Sequence, residues 1–283
     1  MLRCATWFNW PWLASLFALA LLTAQTRGQE ANEPSSVEKQ QIEAALKLTR
    51  EAAGKYKFIV GNDDASPCEL KADPVLRWSN PNVGEIHGHV FLWTKNTRPI
   101  AVGSLFKWFS PHTHTSHEFH SLSEEALVAS YDGREVWNTK SGGATFTMLD
   151  KVEAPAETAS RRLTQMRQLA KQFRGEETDR EGEDYQLRLL PQPVYRYEPV
   201  KDTVVDGAMF AFVLGTDPEI LLQLEARSNR EGKLHWYFAA SRMHHCVVRL
   251  KFNDREVWSV PQLEWSEAFD HTRSYTLFDT PGK

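Results

Sequence analysis

This 283-residue sequence predicts an α+β fold: two tandem copies of a helix followed by an antiparallel β-sheet, packed with pseudo-twofold symmetry or completing one larger sheet or barrel. The first observation behind it is an internal repeat. Pro74-Val75-Leu76-Arg77-Trp78 returns as Pro193-Val194-Tyr195-Arg196-Tyr197, and Gly88, Phe91, Thr97 and Pro99 return as Gly207, Phe210, Thr216 and Pro218, all at a shift of 119. His117 and Ser123 meet His235 and Ser241 at 118, and Arg134-Glu135-Val136-Trp137 returns as Arg255-Glu256-Val257-Trp258 at 121. A register that drifts so little marks a duplication. Second, an amphipathic helical pattern precedes each copy. Third, each copy is a series of strand-length apolar segments separated by turn residues.

The elements follow in order. Ser35 and Glu38 make a capping box, and Val37, Ile42, Ala45, Leu48 and Ala52 recur at helical spacing up to Gly54. Tyr56 to Val60 reads as a short strand. Gly61-Asn62-Asp63-Asp64 reads as a solvated turn, because no further carboxylates stand in register for a calcium loop. Glu69 to Trp78 is a strand interrupted by Pro74, which places it at an edge or a bulge. Glu85 to Thr94 and Ile100 to Phe109 form a hairpin across Lys95-Asn96-Thr97-Arg98-Pro99. His117 to Ser123, Leu127 to Tyr131, the turn Asp132-Gly133 and Arg134 to Trp137 complete the first copy, residues 35–140.

Residues 141–157 read as a linker and 158–260 as the second copy. Its helix carries Leu163, Met166, Leu169, Ala170 and Phe173 on one stripe. Arg161, Arg162, Arg167, Lys171 and Arg174 surround that stripe, and the acidic run Glu176-Glu177-Thr178-Asp179 follows, which together read as a charge-balanced solvated face. Strands follow at Tyr185 to Leu190, Asp206 to Leu214, Glu219 to Arg227, Leu234 to Ser241, Cys246 to Phe252 and Glu256 to Val260. The tail, residues 261–283, has enough apolar surface in Trp265, Phe269, Tyr275, Leu277 and Phe278 to pack back on the body.

Composition bounds the function. A net charge of -4 gives no basic surface for a phosphate backbone, so nucleic acid is excluded as the expected partner. Residues 1–28 read as a signal peptide, with Arg3 the one early charge and Leu13 to Leu22 the apolar core. The expected location is therefore periplasmic or secreted. Membrane contact is expected only if that segment stays uncleaved as an anchor. Export leaves Cys68 and Cys246, which can form a disulfide or remain as buried small hydrophobes.

No phosphate-binding loop, dinucleotide fingerprint or nucleophile elbow is present. Histidine is the unusual residue: six of the ten fall between His87 and His120. His87, His89, His112, His114, His117 and His120 are thus the candidate metal ligands, for zinc or copper, with Glu118 as general base of a hydrolase. Against this, His117 and His120 would point to opposite faces of a strand. The competing reading is an exposed polar loop with one or two hydrogen-bonded core histidines. The tryptophans can likewise serve as core or as a platform for sugar rings.

Val75-Leu76-Arg77-Trp78-Ser79-Asn80-Pro81, His117-Glu118-Phe119-His120-Ser121-Leu122-Ser123 and the repeated Arg-Glu-Val-Trp resemble exported proteins of planctomycete-type bacteria. The resemblance implies export and lends no catalytic residue. The leading expectation is a non-catalytic exported module, which holds a small-molecule, glycan or protein ligand in a groove between the copies. The alternative is a metal-dependent hydrolase or metal-binding protein centred on His112 to His120.

Overall fold

The computed structural model describes residues 35–61, 67–198 and 203–279. The expected signal segment, the stretch after it to Pro34, the acidic turn at Asn62, Asp63 and Asp64, and the end of the tail lie outside the described residues. Among the described residues the fold is mostly β, with 50% in strands, 15% in three helices and a sheet curled into a half-barrel. The expected α+β fold of two helix-then-sheet copies is thereby corrected.

The correction comes from how the strands find partners. Helix α1 (Ser36–Lys55) leads into β1 (Tyr56–Val60), β2 (Glu69–Leu70), β3 (Leu76–Ser79), β4 (Glu85–Lys95), β5 (Arg98–Ser110), β6 (Thr115–Ser121), β7 (Leu127–Tyr131), β8 (Arg134–Asn138) and β9 (Thr147–Met148). Helix α2 (Ala159–Ala170) leads into β10 (Phe173–Thr178), β11 (Asp184–Leu189), β12 (Tyr195–Tyr197), β13 (Val204–Leu214), β14 (Asp217–Ser228), β15 (Leu234–Arg242), β16 (Val247–Phe252) and β17 (Arg255–Val260). Helix α3 (Trp265–Ala268) and β18 (Tyr275–Phe278) close the chain.

The first half is divided between two sheets. β1, β7 and β8 stand apart as three strands, while β18-β6-β5-β4-β2, with β3 also on β4, makes six. The second half stays in one nine-stranded sheet, β17-β16-β10-β11-β13-β14-β15-β9, with β12 also on β13. Neither half is self-contained. The expected linker supplies β9 to the nine-stranded sheet, and the tail supplies β18 to the six-stranded one.

Alternation along the strands sets the layers. Val90 and Leu92 of β4 and Val102 of β5 meet Met209, Ala211, Val213 and Leu221 of β13 and β14 in one buried cluster, so the two larger sheets pack face to face. Phe91 and Trp93 point the other way, into a cluster that includes Ala53 of α1. On the far side of the nine-stranded sheet, Phe210, Phe212, Leu222 and Leu224 meet Met166, Leu169 and Ala170 of α2. β4 and β13 are therefore covered on both faces, which explains their nearly continuous apolar sequences. The hairpin at β4 and β5 turns through Asn96 and Thr97 with φ of 49° and 67°, the left-handed geometry that matches strand twist.

Cys68 and Cys246 are free and buried, the second of their two expected states. Cys68 packs in the cluster beneath α1, where burial pushes its thiol up to about 11. Cys246 lies at the β15–β16 connection, where its carbonyl accepts from Arg242.

Two glycines of the repeat have a packing role. In register, Trp78 lies opposite Gly88 and Tyr197 opposite Gly207. A Cβ at Gly88 would stand 2.0 Å from Trp78 Cε2, and one at Gly207 2.3 Å from Tyr197 Cε2. Each ring lies on bare backbone. Gly88→Ala and Gly207→Ala are each expected to destabilise the fold by about 1–3 kcal/mol through overpacking. Urea denaturation checks this, and unchanged midpoints would show that the rings can move aside.

Candidate functional site

The seam between the two large sheets does not stay apolar to its end. From Leu122, just after β6, the seam-facing residues change along the strand to His120, Glu118 and Ser116. There the sheets open into a cleft of about 580 Å³. Trp78, Phe106 and Trp108 line it from the first half, and Tyr185, Trp265 and Phe269 from the second. Trp78 is buried, Trp108 half-buried and Trp265 52% exposed, so the ring surface is graded from floor to rim.

Of the acids and histidines that line it, five act on one another: Glu118 on β6, Glu177 on β10, Asp217 and Glu219 on β14, and His244 after β15. His244 Nδ1 lies 3.0 Å from Glu177 Oε1 and 3.6 Å from Glu219 Oε2. Glu118 Oε1 accepts a 2.5 Å hydrogen bond from the Tyr275 hydroxyl. Burial pushes the Glu118 carboxyl up to about 7. Burial, then neighbouring acids, holds Asp217 and Glu219 well above the carboxylate range. His244 resists the lowering effect of burial because Glu219, a hydrogen bond with Cys246 and Glu177 hold it well above the usual histidine value. The carboxyl groups retain protons because burial, the largest cause for each, disfavours their charged forms.

Elsewhere the fold pairs its buried acids with guanidinium groups. Glu225 accepts from Arg98 Nε at 2.9 Å, Arg227 Nε at 2.7 Å and the Tyr197 hydroxyl at 2.8 Å. Asp206 accepts from Arg162 and Arg196, each at 2.9 Å. At the cleft the nearby arginines are engaged otherwise. Arg242 donates to the carbonyls of His244, Cys246 and Pro261, and Arg180 to His245 Nε2 and the Leu263 carbonyl.

The six expected metal-ligand histidines do not converge. Among the described residues, the groups of ligand atoms lying within 4.8 Å of one another are Glu177, Glu219 and His244, and His244, His245 and Cys246. None of the six belongs to either. His89 Nδ1 bonds Thr49 of α1 at 3.0 Å, and His87 stands near the Phe109 ring at 6.0 Å. His117 Nδ1 bonds the Tyr56 hydroxyl at 2.8 Å on the α1 side of the sheet. His120 faces the seam and donates from Nδ1 to the Ser121 carbonyl at 2.8 Å. His112 and His114 are exposed beside Trp108, and only His114 lines the cleft. Of the expected site residues, Glu118 and His114 reach the cleft.

Glu177, Asp217, Glu219 and His244 were not among the expected site residues. A sequence signal existed for Glu219, an acid at the head of the apolar strand Ile220-Leu221-Leu222, and for the His244-His245-Cys246 triplet between strands. No family model, curated protein or solved structure matches the chain. Among the described residues no helix is long and apolar enough to cross a membrane.

The titrations set a pH profile. Burial lowers His89 and His120 to about 4 and His117 and His245 to about 3, and it lowers His87 and His271 as well, so these histidines outnumber the acids that keep protons. The unfolded chain then takes up protons below about 6.5 that the folded chain refuses, so stability is lost as pH falls through that range. Glu118, Asp217, Glu219 and His244 are shifted upward, so the folded chain keeps protons that the unfolded chain releases. Their contribution is lost as pH rises. Above about 6.5 only this second group acts. In EDTA, the thermal midpoint is expected to peak near pH ~6.5 and to fall towards pH ~8.5, a fall that Glu219→Gln reduces. A midpoint that rises over the alkaline range would contradict these assignments.

Proposed function

We propose that this chain is an exported binding module whose ligand site is the cleft between its two large sheets. The carrying observation is the combination of graded aromatic walls with a floor of buried carboxyl groups. Rings of Trp108, Trp265 and Phe269 offer faces on which an apolar ring surface stacks. Protonated carboxyl groups donate a hydrogen bond and ionised ones accept, so a floor that retains protons serves both roles. A saccharide has the matching chemistry, with apolar ring faces and hydroxyl groups that donate and accept. The apolar character of Leu13 to Leu22 supports export.

Soluble oligosaccharides titrated against tryptophan fluorescence test the reading. Trp265→Ala, which removes an exposed rim residue, is expected to weaken binding by about tenfold. A flat response across neutral, acidic and amino oligosaccharides, or undiminished affinity in that variant, would refute it.

One observation favours a second reading, hydrolysis in the same cleft. Glu118 is buried, bonded to Tyr275 and shifted to about 7, where one carboxyl group can both donate and accept a proton. On that reading the chain releases nitrophenol from aryl glycosides, and Glu118→Gln lowers the rate by about 10²–10⁴. Equal rates in the two proteins would remove Glu118 from the chemistry.

A further inference from the structure

We infer that Glu177, Glu219 and His244 form a binding site for a divalent transition-metal ion, zinc in the first instance, at the acid end of the cleft. Three ligand atoms from three separate elements converge there. His244 Nδ1 stands 3.0 Å from Glu177 Oε1 and 3.6 Å from Glu219 Oε2, and one ligand atom from each residue lies within 4.8 Å of the other two. Bonds of about 2.0–2.2 Å to one tetrahedral ion separate its ligand atoms by about 3.4 Å, so these spacings need little adjustment.

A second observation is independent of the clustering. Glu177 is only 2% exposed, and its Oε2 atom is buried with no hydrogen-bond partner, while Oε1 meets His244. A buried carboxylate oxygen left without a donor is costly, and this fold supplies donors to Glu225 and Asp206. At the cleft it brings acids together without a guanidinium among them. A divalent ion held by both oxygens of Glu177 would satisfy Oε2 and balance the two carboxylates.

The ligand set selects the ion class. Two carboxylate oxygens and one imidazole nitrogen suit zinc, whereas calcium and magnesium take all-oxygen shells. The neighbouring group His244, His245 and Cys246 is the weaker choice. His245 Nε2 already accepts from Arg180, whose positive charge would oppose a cation at that nitrogen. Binding exchanges the His244 proton, and any proton on Glu219, for the ion, so zinc uptake releases protons.

The test uses the purified chain, free of any histidine tag and stripped with EDTA. Titration calorimetry with zinc chloride is expected to show one ion per chain and proton release into buffers of differing ionisation heat. Glu177→Gln and Glu219→Gln are expected to weaken uptake at least a hundredfold, and His112→Ala with His114→Ala to leave it unchanged. Absence of saturable one-to-one uptake overturns the inference, as does uptake that survives both glutamine variants. Should a glutamine variant fail to fold, cobalt substitution of the parent chain decides. A visible spectrum without a thiolate charge-transfer band supports the Glu177, Glu219 and His244 shell, and a thiolate band overturns it in favour of Cys246. The inference goes beyond the saccharide reading: zinc uptake with no oligosaccharide response sinks that reading alone, and the converse result sinks the metal site alone.

Discussion

The face-to-face contact of the two large sheets is the constraint on which the rest depends. Val90, Leu92, Val102, Met209, Ala211 and Leu221 close that seam with aliphatic and thioether side chains. A sheet buried on both faces must cover its outer face too, and α1 and α2 do so on opposite sides. Each covering helix therefore answers a demand made at the seam. The cleft arises where the demand lapses, as inward positions pass from Leu122 through His120 to Glu118.

Buried charge is treated in two ways across this seam. Where Arg98, Arg227 and Tyr197 surround Glu225, each acid oxygen has a donor, and the network joins the halves without needing a ligand. Where Glu118, Glu177, Asp217 and Glu219 gather, the nearest arginines are turned towards backbone carbonyls. A cluster of this kind is stable only with protons or with a cation, and that makes it responsive to the medium. The same fold thus holds one acid site closed and another available.

Sequence patterning was legible wherever inward-facing residues are apolar. The hairpin of β4 and β5, the strands β13 to β17 and both long helices follow from apolar spacing within a few residues of their ends. β10 was hidden for a physical reason. Its inward positions are Phe173, Gly175 and Glu177, of which only the first is apolar, so the run reads as a solvated charged face. The site was hidden by the same effect, because its residues occupy core positions with polar side chains. The histidine cluster misled in the opposite direction: nearness along the chain distributed His117 and His120 to opposite faces of β6. The repeat was read as two helix-then-sheet copies, packed together or completing one larger sheet, yet the expected linker and tail supply β9 and β18 to the sheets.

β18 pairs with β6 along its whole length, from Tyr275 opposite His120 to Phe278 opposite His117, and it brings the hydroxyl that holds Glu118. Of the described strands it leaves the ribosome last. Until it arrives, β6 is an open sheet edge with Glu118 unheld, a state that invites pairing with other chains. Assembly of the cleft thus waits on β18, so a nascent chain has the scaffold before it has the site.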